Sequence, residues 1–287
     1  MSILKTENLT YVYSQGTPFE KIAVNKINIE IEKGEFVGII GHTGSGKSTL
    51  IQHFNGLLQP TSGKIFIDGN DIWSNKENIR QVRFKVGLVF QYPEYQLFEE
   101  NVFKDIAFGP KNMGLSEKEI KERVYDTAKL LEIPENFMKR SPFELSGGQK
   151  RRVAIAGVMA MNPEILILDE PSAGLDPHGR DIILDIIKNY HKKTGSTVMI
   201  VSHSMEDTAK YAEKILVMNK SELFCYDTVE NVFRRSEEIE KIGLDVPQIT
   251  RVFNKLRSHG ISFGKEIYTV ERAREVILDM LKKEGRI

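Results

Sequence analysis

The stretch Gly41-His-Thr-Gly-Ser-Gly-Lys-Ser-Thr49 decides the fold of this chain, because it fits the pattern G-x-x-x-x-G-K-[S/T] in the required setting. An apolar run, Glu35–Ile40, precedes it, and a pattern typical of a helix, Lys47–Leu58, follows it. The glycines allow the backbone to wrap around a phosphate, and successive N–H groups at a helix N-terminus point toward the anion. We expect Lys47 to reach the β- and γ-phosphates of a nucleotide and the Ser48 hydroxyl to bind Mg²⁺. The strand, the spacing and the Lys-Ser pair together disfavour a purely structural glycine turn.

The composition indicates a globular protein with one large domain or one domain and a small appendage. The chain has 287 residues, of which 40% are apolar, and its 40 basic and 40 acidic side chains give a formal net charge of zero. That balance disfavours a nucleic-acid partner, although a local basic patch is compatible with it. The single cysteine, Cys225, excludes an intramolecular disulfide and a cysteine-based zinc site. Without an apolar signal core or a run of roughly 18–20 apolar residues, we expect a cytosolic protein with no membrane span of its own.

Predicted strands and helices alternate along the chain, which indicates an α/β core with a mainly parallel sheet. Two early segments, Lys5–Tyr13 and Ala23–Ile31, alternate apolar and polar residues, as half-buried antiparallel strands do. Further strands are predicted at Lys64–Asp68, Val86–Phe90, Ile165–Leu168 and Thr197–Val201. Helical patterns cover Glu99 to about Ala160, with a capping box at Ser116-x-x-Glu119, and Arg180–Lys193.

The run Ile165–Glu170 ends in two acids that would complete a nucleotide site. A carboxylate at the end of a buried strand can hold Mg²⁺ beside the glycine-rich loop, and we expect Asp169 to do so directly or through water. Glu170 is placed to polarise an attacking water molecule. Alone, such a pair would be weak evidence, because strand ends often carry solvated acids, but beside the loop it is strong.

A second Ser/Gly-rich turn, Leu145-Ser-Gly-Gly-Gln149, opens another predicted helix, Lys150–Met161. By the same physics it is a second helix N-terminus able to bind an anion. The economical explanation for two such devices in one chain is a head-to-tail dimer. Each nucleotide would then lie between the loop of one chain and Ser146–Gln149 of the other. The alternative is an ordinary glycine-rich helix cap.

These motifs, in this order, resemble those of the ATP-binding-cassette (ABC) ATPases over residues 1–226. The resemblance implies an α/β P-loop NTPase fold with a RecA-like parallel-sheet core, an antiparallel β subdomain and a helical subdomain at about residues 92–160. It implies ATP as the nucleotide and Mg²⁺ as the metal ion. Residues 227–287 would form a small helical C-terminal extension. Since no expected motif is missing, a non-catalytic nucleotide sensor is disfavoured.

The resemblance also implies a role for each matching residue. The expected ATP contacts are Tyr13, Gly41, His42, Thr43, Gly44, Ser45, Gly46, Lys47, Ser48, Thr49 and Gln91. The expected Mg²⁺ ligands are Ser48, Gln91 and Asp169, and the expected contacts to the partner's ATP are Ser146, Gly147, Gly148 and Gln149. The expected catalytic residues are Glu170 and the switch histidine His203, with Asp176 in the D-loop at the dimer interface. Tyr11 competes with Tyr13 as the aromatic that stacks on adenine, and His203 alone would read as an ordinary strand-end histidine.

The segment Phe90-Gln-Tyr-Pro-Glu-Tyr-Gln-Leu-Phe98 resembles that of energy-coupling-factor (ECF) transporter ATPases, and in detail the second of their two paired subunits. The resemblance implies a peripheral ATPase on the cytoplasmic face of the membrane. Its partners would be a second ATPase, a membrane T component and an S component that binds a vitamin or metal ion. Homodimer and heterodimer both remain compatible with the motifs. Near the Q-loop, the segment whose glutamine is implied to be Gln91, four acids, Glu94, Glu99, Glu100 and Asp105, would form either an acidic wall for arginines of the T component or a solvated face.

The tail carries two amphipathic patterns. Ile249, Val252, Phe253 and Leu256 share one face of a predicted helix that stops near Gly260, and Thr269 would cap a second helix. Their apolar stripes fit local packing or a contact that pairs the two ATPases. The alternative functions are the ATPase of a conventional ABC transporter and a soluble ABC ATPase in DNA repair or translation. The second lacks support, because the chain has no room for a coiled-coil insertion or a second cassette.

Overall fold

The computed structural model, which describes residues 1–283, contains two β-sheets, a helical layer and a C-terminal group of helices. The last four residues of the predicted extension, 284–287, lie outside the described residues. The strands are β1 (Ser2–Tyr13), β2 (Lys21–Glu32), β3 (Phe36–Gly41), β4 (Ser62–Ile67), β5 (Asn70–Asp71), β6 (Val86–Val89), β7 (Ile165–Asp169), β8 (Thr197–Val201), β9 (Lys214–Asn219) and β10 (Glu222–Thr228). The α-helices are α1 (Lys47–Phe54), α2 (Ile79–Lys85), α3 (Val102–Asn112), α4 (Glu117–Leu130), α5 (Gly147–Met159), α6 (Pro177–Thr194), α7 (Met205–Tyr211), α8 (Val229–Arg234), α9 (Ser236–Lys241), α10 (Gln248–Ser258) and α11 (Val270–Lys283).

The larger sheet has the strand order β10-β9-β3-β8-β7-β6, with β10 alone antiparallel to its neighbour. Strands β3, β7 and β8 are buried at every residue, which explains why their sequences are continuous apolar runs. Ile39 pairs with Val201, and Val201 pairs with Asp169. The three segments that follow these strands therefore leave the same edge of the sheet side by side, as the predicted nucleotide site requires.

The smaller sheet is antiparallel, with the order β2-β1-β4-β5, and packs over helix α1. Leu50 and Phe54 of α1 share one buried cluster with residues of both sheets, including Leu9 and Ile39. At the far end of β1, Tyr13 pairs with Lys21. This pairing brings the end of the antiparallel sheet next to the start of α1.

Helix α1 ends earlier than the sequence pattern suggested. The helix was predicted to reach Leu58, whereas its last residue is Phe54. The Asn55 side chain donates a hydrogen bond to the Val86 carbonyl, and Gly56 has a φ of 67°, which a helix cannot accommodate. A tertiary contact therefore terminates a helix whose sequence could have continued.

The region predicted to be helical from Glu99 to Ala160 contains helices α3, α4 and α5 with short 3₁₀ turns between them. Val102, Val124 and Val153, one from each helix, are fully or almost fully buried in one cluster that also contains Leu166 of β7. The predicted capping box of α4 is confirmed, because Ser116 accepts from the Glu119 N–H while the Glu119 carboxylate accepts from the Ser116 N–H. These helices form a layer beside the sheet edge that carries the site.

The C-terminal helices pack in two groups. Leu244 and Phe233 share a buried cluster with Ile40 and Met205, so α8, α9 and the segment after them pack on the core of the larger sheet. Helices α10 and α11 form a separate small cluster around Phe253. Within residues 1–283, no helix has the length and apolar character needed to cross a bilayer.

Candidate nucleotide site

A cavity of about 350 Å³ opens where β3 and β7 end. It is lined by Tyr13, Lys21, Ala23, Thr43, Gly44, Gly46, Lys47, Ser48, Thr49, Gln91, Glu170 and His203. Most of the residues that were predicted to bind ATP or act on it therefore surround one space. Lys21 and Ala23 were missed, because only the pairing of β1 with β2 brings them there. Gly41, His42, Ser45 and Asp169 lie in or beside the loop without lining the cavity.

The glycine-rich loop needs its glycines for conformation and for space. Gly44 and Gly46 have φ angles of 79° and 100°, which L side chains rarely adopt. A Cβ on Gly46 would lie 2.1 Å from the carbonyl oxygen of Ala23 in β2. The loop thus lies against the antiparallel sheet in backbone contact, and Thr43, Gly44 and Gly46 line the cavity.

Lys47 is folded over the loop. Its Nζ donates to the carbonyl oxygens of Gly41 at 2.6 Å and His42 at 2.9 Å. Burial lowers its pKa, and the nearby carboxylates of Glu170 and Asp169 partly offset that effect. An ammonium group has three donors, so one remains available to an oxygen in the cavity.

Glu170 is held between two other residues of the predicted site. The Gln91 side-chain amide donates to its Oε2 at 2.7 Å, and Nε2 of His203 lies 2.8 Å from its Oε1. A carboxylate can only accept, so Nε2 of His203 carries a proton in this arrangement. Glu170 also adopts a φ of 50°, which a non-glycine residue holds only when its surroundings impose it. Three residues from separate loops are therefore joined at the cavity wall.

Asp169 lies behind the cavity and is buried. Burial raises its pKa, an interaction with the Ser48 hydroxyl lowers it, and the Glu170 carboxylate raises it again. A hard cation at this point would relieve the cost of the buried charge, and hydroxyl and carboxylate oxygens suit Mg²⁺. Within residues 1–283 no group of three or more His, Cys, Asp or Glu side chains could hold a metal ion alone. The donors therefore fit a Mg²⁺ ion that takes further ligands from water and phosphate.

The two candidate aromatics occupy different environments. Tyr13 is 40% exposed, lines the cavity, and its hydroxyl lies 3.3 Å from Oγ1 of Thr49. Tyr11 packs against the core cluster and makes an edge contact with the ring of His53. Of the two, Tyr13 therefore lines the space that would hold a base, and Tyr11 does not.

The second anion-binding turn does not line this cavity. Ser146 caps α5 by accepting from the Gln149 N–H, and the Gln149 side chain accepts from the Ser146 N–H. Gly147 and Gly148 are exposed, and a Cβ on either would meet nothing within 4 Å. Asp176 caps α6 by accepting from the Gly179 N–H at 2.7 Å. The turn thus presents an open backbone surface outside its own chain's cavity.

The expected acidic wall near Gln91 is not formed as predicted. Glu94 makes a two-pronged ion pair with Arg151 of α5, at 2.7 and 3.0 Å. The buried Asp105 carboxylate accepts from the backbone N–H groups of Phe98 and Glu99. Glu100 pairs with the Lys104 side chain, four residues along the same segment. Three of the four acids therefore serve contacts within the chain, and the partner of Glu94 lies on a helix that the sequence pattern does not place nearby.

Beside these acids lies an apolar groove of about 280 Å³. Its wall includes Leu97, Val153 and Met161, together with Phe98 and Phe108, whose rings make an edge-to-face contact at 4.9 Å. Both phenylalanines are largely exposed, with 59% and 44% of their surface open to solvent. The surface next to the Q-loop is thus aromatic rather than acidic.

Comparison with known proteins gives consistent relatives. The family model described as ABC transporter matches residues 24–173. Two proteins named energy-coupling factor transporter ATP-binding protein EcfA2 are similar over almost their whole length. The one from Caldanaerobacter subterraneus subsp. tengcongensis is 56% identical and covers 97% of this chain and 98% of its own. The one from Clostridium acetobutylicum is 57% identical and covers 99% of each.

Solved structures agree with these relatives. The structure of cbiO1 from Clostridium perfringens, described as part of the ABC transporter complex cbiONQ, has a TM-score of 0.74 and 41% identity. It covers 88% of this chain and 99% of its own. The dimeric post-hydrolysis structure of the ATP-binding cassette MJ0796, bound to ADP and Pi, has a TM-score of 0.70 and 29% identity, over 79% of this chain and 98% of its own.

Proposed function

The chain belongs to the ABC transporter family, as an ATPase of the energy-coupling factor type, and from this premise we propose that it powers uptake of a vitamin or metal ion through separate membrane components. The observation that carries the proposal is Glu170, held between Gln91 and His203 on the wall of the glycine-loop cavity. A carboxylate in this position can orient a water molecule toward a phosphate bound by the loop. The two flanking residues come from loops that can respond to that phosphate.

The mechanism is in-line attack of water on the γ-phosphate of ATP. Glu170 orients the water and accepts its proton, because a carboxylate with two hydrogen-bonded donors keeps a fixed direction. Lys47 exchanges its bonds with the loop carbonyls for phosphate oxygens, and its positive charge stabilises the developing negative charge. His203, which lies beside Glu170 on the same wall, would donate to the γ-phosphate. Mg²⁺, held by Ser48, Asp169 and the Gln91 amide oxygen, would neutralise phosphate charge.

The site is completed by a second ATPase in a head-to-tail dimer. Ser146, Gly147 and Gly148 do not line their own chain's cavity, and the two glycines keep an open backbone surface, as a surface for a partner's phosphate requires. The solved neighbour MJ0796 is described as dimeric with ADP and Pi bound, which supports the same arrangement here. In the ECF context we expect the partner to be a different ATPase, with Asp176 at the shared interface.

The apolar groove beside the Q-loop is the docking surface we assign to the membrane T component. Exposed Phe98 and Phe108 offer an aromatic surface that an apolar helix face would cover. The chain would then lie on the cytoplasmic face of the membrane, held by protein contacts. Phe98→Ala should reduce co-purification of the T component, whereas Phe19→Ala, at a still more exposed aromatic in the β1–β2 connection, should not. Equal yields for both variants would contradict this assignment.

Glu170→Gln tests the ATPase mechanism. On the purified chain, where both sites of any dimer carry the change, we expect ATP affinity to be retained. Turnover should fall by at least about 100-fold, since the base is lost. The variant should elute as a dimer with ATP and Mg²⁺ but not with ADP. Glu122→Gln, on the exposed face of α4, is the control. Turnover of Glu170→Gln near that of the control would refute the role of Glu170.

Mass spectrometry of the complex tests the transporter type. The tagged chain is purified from native membranes, and we expect a second cassette and two kinds of membrane protein to accompany it. Recovery of this cassette alone with the paired membrane domains of a conventional ABC transporter would contradict the ECF assignment. If the expected complex is recovered, the identity of its substrate-binding membrane protein would indicate the transported compound.

A further inference from the structure

A short C-terminal segment, residues 242–248, crosses behind the nucleotide site and contacts two of its loops; we call it the crossing segment. Nε2 of His42, in the glycine-rich loop, lies 2.9 Å from the carbonyl oxygen of Ile242. Because a carbonyl oxygen can only accept, the His42 ring donates this hydrogen bond. At the other end, the Gln248 N–H donates to the Glu206 carboxylate at 3.2 Å, in the first turn of the helix that follows His203.

The backbone of the crossing segment is shaped for this contact. Gly243 has a φ of 85°, and a Cβ at this position would lie 3.0 Å from Nε2 of His42. Any side chain would therefore be strained by its conformation and would press on the His42 ring. Glycine is therefore strongly favoured at the point where the extension meets the loop.

Apolar packing fixes the crossing segment against the same two loops. Leu244 and Val246 are buried in one cluster with Ile40 and Met205. Ile40 directly precedes the glycine-rich loop, and Met205 lies two residues after His203. A displacement of the crossing segment would thus be transmitted to both loops.

We propose that His42 is a positioning residue that ties the glycine-rich loop to the C-terminal extension, so that the position of the extension sets the affinity for ATP. Its side chain does not line the cavity, so it acts through the loop and not on the nucleotide. Its own carbonyl accepts from Lys47 Nζ, which places the anchored residue directly against the lysine that binds phosphate. The inference rests on the proposed function for the identity of the ligand.

The test compares His42→Ala with His42→Gln in the full chain, using a fluorescent ATP analogue and steady-state kinetics. The Gln side chain can still donate to the Ile242 carbonyl, whereas Ala cannot. For His42→Ala we expect Kd and KM for ATP to rise about three- to tenfold, the effect of one hydrogen bond, with kcat at saturation unchanged. For His42→Gln we expect both values within about twofold of the wild type.

A double-mutant cycle with Gly243→Ala locates the effect at this contact. Gly243→Ala should also weaken ATP binding. The double variant should lose less binding free energy than the two single variants added together, because without the His42 ring the new Cβ has nothing to press on. The melting temperature of every variant is measured without nucleotide, as a check on folding. The values for His42→Ala and His42→Gln should lie close to each other. Wild-type affinity in His42→Ala, or equal losses in His42→Ala and His42→Gln, would overturn the proposal. Failure of the wild-type chain to bind ATP would instead contradict the proposed function.

Discussion

Replacing Glu94 by Gln tests the buried ion pair that joins the segment after Gln91 to helix α5. Arg151 donates to both carboxylate oxygens of Glu94, and also to the carbonyl oxygens of Pro171 and Ala173. The side chains of Arg151 and Glu94 are only 4% and 14% exposed. One guanidinium thus links the Q-loop region to the segment that immediately follows Glu170.

The expected cost follows from this geometry. In Glu94→Gln, the new side chain would keep one acceptor for Arg151 but turn an amide N–H₂ toward a second guanidinium donor. Losing a charge-assisted bond to a buried partner costs about 1.5–3 kcal/mol. Removing Arg151 leaves a buried carboxylate and two carbonyls without their donor, and breaking a buried pair in this way costs about 3–5 kcal/mol. At about 2–4 °C per kcal/mol, Glu94→Gln should lower Tm by about 3–12 °C, and Arg151→Ala should lower it further.

The assay is thermal unfolding across pH, with Glu100→Gln as the control. Glu100 pairs with Lys104 on the surface, where an ion pair contributes little, so its loss should leave Tm unchanged. Burial acts to raise the pKa of Glu94, but Arg151 outweighs it and the pKa lies below 4.5. The pair therefore stabilises the fold at pH values above the unfolded-state pKa of Glu94. This stabilisation is lost as the pH falls through the pKa that Glu94 has in the folded protein. The gap between wild type and Glu94→Gln should narrow below about pH 4.5. An unchanged Tm for Glu94→Gln at neutral pH would refute the reasoning.

Three further expectations follow from single positions. Gly46→Ala should abolish ATP binding in equilibrium dialysis, because the new Cβ would lie 2.1 Å from the Ala23 carbonyl oxygen; retained binding would contradict the loop geometry. Tyr13→Ala should raise the Kd for ATP about two- to tenfold through lost ring stacking, whereas Tyr13→Phe should not, and equal Kd values would argue against stacking. For Glu35, burial acts to raise the pKa, but the Lys214 side chain outweighs it, so the pKa lies below 4.5. Glu35→Gln should therefore lower Tm at pH 6, and this effect should shrink as the pH falls below about 4.5; a gap independent of pH would contradict the ion pair.

The parts of the fold that sequence predicts well are those with a local cause. The glycine-rich loop, the buried strands β3, β7 and β8 and the capping box of α4 each carry their signal within a few residues. The hairpin of β9 and β10 was not predicted, because a short apolar run such as Lys214–Asn219 fits a strand and a buried helix segment equally well.

The contacts that sequence could not predict join distant segments. Arg151 and Glu94 are 57 positions apart. The sequence around an acidic residue does not show whether its carboxylate will be solvated or will pair with a buried guanidinium. His42 and Ile242 are separated by 200 positions, and a backbone carbonyl has no signature in the sequence. The motifs therefore indicated which residues would surround the cavity, whereas the contacts that hold the loops in place required the structure.

The orientation of the Ser146 turn has a consequence for genetics. Since that turn lies outside the cavity of its own chain, a head-to-tail dimer divides this one sequence between two different ATP sites. A lesion at Lys47 would disable one of them, and a lesion at Gly148 the other. If the partner is a distinct ATPase, the two lesions would give different transport phenotypes whenever the sites are unequal. If the partner is a distinct ATPase, two copies of this gene that each carry one lesion could not complement each other, because each assembly would contain only one of the two copies. In a homodimer, a chain with the Lys47 lesion could pair with a chain with the Gly148 lesion, and that pair would regain one intact site.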